Sequence, residues 1–240
     1  MGKSKDLASG NSAAYVETAG DTMTGTLNVN GGNFNLAPDN AAAHRYMFLN
    51  TGASQDGHIL LQRALANKYQ ITAKTDNSYS IYGYPASGEV FNINSSGHVT
   101  MPNQPSFKAH GGVAGYITTS PIPFSSVSGY GGHNVGGHFN TSNYRFTCPI
   151  AGRYFFHLHM GIVKITTGTG AAYPSLRVNG TNNEYSYVNF QSAPSYATAH
   201  ISVFKNLAVN DYVDVVFAGG SYGTYYGGFA ELAFSGFLIG

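Results

Sequence analysis

Phe146-Thr-Cys-Pro-Ile-Ala-Gly-Arg-Tyr-Phe-Phe-His-Leu-His-Met160 decides how this chain is read. A short apolar strand ends at Cys148-Pro149, Ala151-Gly152 make a turn, and a long aromatic strand begins. With the two-residue period of a strand, Phe155, His157 and His159 face one side and Tyr154, Phe156, Leu158 and Met160 the other. Both faces are bulky, so the segment is expected to be covered on both sides. A strand inside a β-sandwich that also meets a neighbouring subunit has that property.

Composition agrees with strands and turns. The chain has 240 residues, with 31 Gly, 18 Tyr and 15 Phe, and only 10% of its residues are charged. That is far below the ~25% of ordinary soluble domains, and it leaves little to solvate the exposed faces of long helices. A formal charge of +1 supplies no footprint for nucleic acid. No stretch approaches the ~18 apolar residues of a membrane span, so membrane insertion is not expected. The first twenty residues lack the apolar stretch of a signal peptide, so synthesis in a cytoplasm is expected. Cys148 is the single cysteine, which excludes an internal disulfide, and its apolar setting predicts a buried, inert thiol.

The chain divides into three stretches. Residues 1–19 are small and polar without period and read as an extended attachment segment. Residues 20–104 read as a β-rich shaft or collar. Leu27 and Val29 alternate with Thr26, Asn28 and Asn30, and runs such as RYMFLN, KYQITA, SYSIYGY and EVFNIN follow. His58–Tyr69 (HILLQRALANKY) fits a strand or a short helix. Residues 105–240 read as a longer all-β domain. Its candidate strands lie near 105–110, 113–118, 144–148, 152–163, 173–178, 185–190, 196–204, 211–217 and 228–239, and glycine-rich links join them. That number of strands fits a double-sheet jelly roll.

Two resemblances follow from particular motifs. Gly20-Asp-Thr-Met-Thr-Gly25, followed by Leu27-Asn28-Val29, is similar to a segment recurring in phage tail fibre and other virion-appendage proteins. Further on, PSFKAH, IPFSSV, FTCPIAGRYFFHLH, SLRVNG, LAVNDYVDVVF and FSGFLIG occur in the order of the complement component 1q globular-head family. That family is related to the tumour-necrosis-factor jelly roll. The resemblance spans about 135 residues, and it implies a ten-strand jelly roll packed as a trimer through apolar faces. No collagen-like run precedes the domain, which agrees better with a fibre than with a serum protein.

Catalysis is not expected. None of the eleven acids lies between Glu89 and Glu184. Asp211 and Asp214 are too close in sequence to face each other across a glycosidase cleft, and they read as turn and strand-edge residues. No nucleophile elbow, phosphate loop or zinc-binding helix motif is present. Recognition is the better reading. Tyr130, His133 and Asn134, then Tyr185 and Tyr187, then Tyr222, Tyr225 and Tyr226 lie in Gly-, Ser- and Asn-rich surroundings, the composition of adaptable binding loops. Tyr154, Phe155, Phe156, His157, Phe234 and Phe237 are expected in the core or at the trimer interface. His157 and His159 point one way, and around a threefold axis they would offer six imidazoles. A transition metal such as iron there is the alternative to having no cofactor at all.

Together these readings describe an all-β, non-enzymatic, trimeric virion component, a tail fibre or its distal receptor-binding portion. Its partners would be two further copies, a phage tail or baseplate protein at the N-terminal segment, and a bacterial surface glycan. A decoration or assembly fibre without a receptor, or a surface polysaccharide depolymerase, are the alternatives.

Overall fold

The computed structural model describes residues 53–111, 116–117, 120–164, 170–191, 195–218, 224–226 and 232–240. The chain divides into Met1–Leu49 and Asn50–Gly240. The attachment segment and the GDTMTG strand therefore lie outside the described residues. Those described form strands, turns and loops with no helix.

The first sheet is an antiparallel meander of β1 (Gly57–Arg63), β2 (Ala66–Ala73), β3 (Tyr79–Gly83), β4 (Gly88–Ile93) and β5 (Val99–Thr100), in sequence order. The ambiguous HILLQRALANKY stretch is the β1–β2 hairpin. Ala64 and Leu65 turn the chain at φ 51° and 61°. Two successive residues at positive φ are what a tight hairpin connection requires. Pairing across the strands settles what local periodicity leaves open. Lys74 and Glu89 form an ion pair, and Asn92 also donates to Glu89. Lys74 is the main reason the Glu89 carboxyl titrates below its usual range.

The second region continues with β6 (Ser106–His110), β7 (Tyr116–Ile117), β8 (His133–Val135), β9 (Phe139–Asn140), β10 (Arg145–Thr147), β11 (Gly152–Lys164), β12 (Gly170–Ala172) and β13 (Pro174–Val178). It then runs through β14 (Thr181–Tyr185), β15 (Val188–Phe190), β16 (Ser195–Leu207), β17 (Tyr212–Phe217), β18 (Thr224–Tyr226) and β19 (Leu232–Leu238). One layer, the long-strand sheet, places β11 between β16 and β19, with β6 and β8 beyond β19 and β18–β7 at the far end of β11. The other, the short-strand sheet, has the order β14-β13-β17-β10-β9. β12 and β15 pair separately. Every pairing is antiparallel, and β11–β16, β11–β19, β13–β17 and β6–β19 join strands far apart in sequence, as in a jelly roll.

The sequence places a strand at 185–190. The structure instead closes a β13–β14 hairpin that ends at Tyr185, and begins β15 only at Val188. The reason is the turn. Asn179 and Gly180 sit at φ 51° and 80°, so the chain reverses earlier than the aromatic pattern implies. This turn is clamped to another. Asn179 donates through Nδ2 to Asp211 and accepts from the Tyr212 amide at 3.0 Å, while Asp211 also accepts from the Ala208 amide at 2.7 Å. The bond from Asn179, then the Ala208 amide, keep the Asp211 carboxyl below its usual range. Two family-like motifs, Val178-Asn179-Gly180 and Asn210-Asp211-Tyr212, are therefore one structural device.

The core lies between the two layers. Tyr154, Phe156, Leu158 and Met160 of β11 are fully buried with Phe107, Phe146 and Phe234. Phe107 stacks at 4.8 Å on Phe139 and 5.1 Å on Phe146, and meets Phe234 edge-on at 5.1 Å. Such aromatic contacts add about 0.5–1.5 kcal/mol per pair to burial. Gly236 lets the final strand pass this cluster, since a Cβ there would lie 2.5 Å from Phe156. Cys148 is buried, with Sγ 3.1 Å from the Ile150 carbonyl, as the sequence implied. The buried Tyr154 hydroxyl donates to the same carbonyl, and burial with the neighbouring thiol pushes its pKa far up.

Candidate functional site

The residues expected in core or interface separate by parity. Tyr154, Phe156 and Phe234 point into the core. Phe155, His157 and Phe237 lie on the opposite face, which a single chain leaves open: Phe204 is 62% and Phe237 48% exposed. Strand β11 is thus covered on one side within its own chain, and not on both.

Register builds that open face in rows. Phe155 pairs with Phe204 on one side and Phe237 on the other, with ring centroids 5.2 and 5.5 Å away. The next row is Ser202, His157, Ser235 and Lys108, and the one after it His200, His159, Ala233 and His110. His157 Nδ1 is 2.9 Å from Ser202 Oγ. The His157 and His200 rings are 6.0 Å apart, and His159 and His200 4.8 Å. Partial burial, and secondarily the charge His200 can carry, lower the His157 pKa. At the edge, Lys108 donates to the Tyr130 carbonyl, and buried His110 sits against the Ser128 carbonyl at 2.9 Å. The face is therefore aromatic and imidazole-rich, and Lys108 is the formal cation in these rows.

His200 joins the two histidines that the sequence singled out. Sequence spacing could not find it, because β11 and β16 meet only through long-range pairing. Among the described residues, no group of three or more His, Cys, Asp or Glu side chains is arranged to hold a metal within one chain.

The expected recognition residues do not form one site. Tyr130 is 66% exposed, at φ 46°, with its ring 5.7 Å from His110. His133 is exposed on β8. Asn134 has its amide engaged, donating to and accepting from the Phe139 backbone at 2.8 and 3.0 Å. Tyr185 and Tyr187 are 44% and 68% exposed, on the other sheet's side of the molecule. Tyr173, which the sequence did not single out, meets Tyr187 edge-on at 4.8 Å, and Tyr185 lies 6.2 Å from Tyr187. Tyr225 and Tyr226 lie in β18, where Tyr225 pairs with Ile162 and Ile117. Tyr222 lies outside the described residues.

The acids have structural partners. Asp214 is no strand-edge residue. It is fully buried in β17, accepting from Arg177 Nε and Nη2 at 2.8 and 2.9 Å and from Arg145 Nε at 3.1 Å. Glu184 pairs with Lys205 at 2.5 Å. Asp56 and Asp76 accept from backbone amides in turns.

Two antiparallel layers connected in this order define a jelly-roll domain of the tumour-necrosis-factor-like kind. The C1q domain family matches residues 108–239, and the chain belongs to that family. Among solved structures, the globular domain of zebrafish complement 1qA is similar at 20% identity and TM-score 0.43, over 57% of this chain and 98% of that one. The Eiger TNF structure from S. frugiperda is similar at 9% identity and TM-score 0.43, over 57% and 94%. No curated protein sequence matches the chain.

Proposed function

We propose that this chain is a non-catalytic virion fibre component that self-associates as a homotrimer through the long-strand sheet and presents its remaining surfaces to a bacterial glycan. The open row of Phe204, Phe155 and Phe237 carries the assembly half of this reading. Three aromatic rings side by side on one sheet face, with serine and histidine in the next row, are costly to hydrate and suit an interface between copies. Membership of the C1q domain family supports the same reading. The GDTMTG segment supports the virion setting, with the N-terminal stretch attaching to a tail or baseplate protein. Three copies would multiply weak sugar contacts. No cofactor is part of this reading.

Native mass spectrometry of the full chain tests it. The expected mass is three times the 25.4 kDa of one chain. Phe204→Lys, which places a charge in the aromatic row without touching the core, should return the mass to that of one folded chain. A wild-type protein that is monomeric at micromolar concentration sinks the proposal.

A further inference from the structure

The outward face of the short-strand sheet carries chemistry of a different kind. Register places Tyr185, Ser175 and Val216 in one row, and Arg177 beside Asp214 in the next, with Arg145 reaching the same carboxylate from β10. One buried carboxylate needs one cation to offset its desolvation, and the two-pronged contact from Arg177 meets that need. Arg145 is therefore in surplus, and this cluster carries one net positive charge. Arg145 spends only Nε on Asp214, its guanidinium carbon rides 4.2 Å over the Tyr212 ring, and its side chain is 34% exposed. A guanidinium held over a ring and partly open to water is prepared to take a carboxylate.

Tyr173, Tyr185 and Tyr187 form a contiguous aromatic ledge on the same sheet, with Tyr185 one row from Arg177, and Tyr187 is more than two-thirds exposed. Tyrosine rings provide stacking area and a hydroxyl with little entropy to lose. Resting on the reading of the chain as a glycan-recognition module, the geometry points to an acidic polysaccharide as the ligand of this face: sugar rings stack on Tyr173, Tyr185 and Tyr187, and a carboxylate binds Arg145. Strand β14 lies three strand spacings from β10, about 14 Å. A single sugar does not span that distance, so the ligand is a chain that carries a carboxylate beyond the stacked rings.

The test uses the full-length protein with polygalacturonate and polysialic acid as probes and neutral dextran of matched length as the control. Calorimetry should show at least one acidic polymer bound about tenfold more tightly than dextran, the size expected of one charge-assisted contact. Added salt should weaken that preference. Arg145→Gln should abolish the preference, and Tyr187→Ala should weaken binding of the acidic polymer, with circular dichroism and native mass unchanged in both. Equal affinity for dextran, no binding to either acidic polymer, or two variants that bind as the wild type does would each overturn the inference. A monomeric native mass with the acidic preference intact would sink the trimer reading alone. A trimer without the preference would sink this inference alone.

Discussion

The two sheets of the jelly roll share one core but turn different chemistry outward. The long-strand sheet shows Phe204, Phe155 and Phe237 with His157, His159 and His200, Lys108 at its edge and Arg153 in the row beyond the rings. The short-strand sheet shows two arginines around a buried aspartate, with four tyrosines close by. Equal burial on the inside therefore says nothing about the outside. A row of three aromatic rings loses water readily and suits a second copy. A face with fixed guanidinium and exposed tyrosine keeps its water until a polar ligand replaces it.

The sharpest way to break this contrast is to exchange the two sides of β11. Phe156→Ala, on the buried side, should cost about 3–5 kcal/mol in denaturant unfolding, because it opens a cavity in a packed aromatic cluster. Phe155→Ala, on the open side, should cost much less in a chain that has already been made monomeric. Similar losses would show that the open face is packed within one chain after all.

A smaller effect tests the polar face. Asp214→Asn keeps shape and removes the charge that Arg177 and Arg145 share. Both arginines are partly exposed, so the expected loss is about 2–3 kcal/mol, lower than for a fully buried pair. An unchanged unfolding midpoint would mean that water screens the cluster completely.

The smallest effect is with pH. His157 titrates below its ordinary value of 6.5, chiefly from burial and then from His200. The folded chain thus binds fewer protons than the unfolded chain, and stability rises with pH in that window. The contribution is complete above the unfolded value and declines as pH falls from 6.5 through the lowered value. Melting temperature should therefore drop on acidification from about pH 7.5 to about pH 5.5, where ordinary histidines gain charge. His157→Gln should flatten the slope, whereas a slope unaffected by that change would assign the titration elsewhere.

Several features were legible without coordinates. Alternation in Tyr154–Met160 separated two faces, Cys148 was placed in an apolar setting, and the order of motifs from Phe107 to Leu238 gave a jelly roll. The first two readings rest on local period and local chemistry, and the third on a strand count together with the resemblance to the globular-head family. The partners of individual side chains were not legible. Asp214 read as a strand-edge acid because Arg145 and Arg177 are remote from it in sequence. His200 and Tyr173 carried no local signal, and Asn134 read as a recognition residue although its amide holds the Phe139 backbone.

The amino-acid sequence by itself determined that this is a strand-built chain with few charges, and which side chains of each strand share a face. That follows because the two-residue period is set by the backbone alone. Only the tertiary structure decided which of those faces was closed and which stayed open, and which acids met cations. Those outcomes depend on strands pairing across long gaps, the longest from Ser106 to Phe237, and no local window along the chain contains both partners.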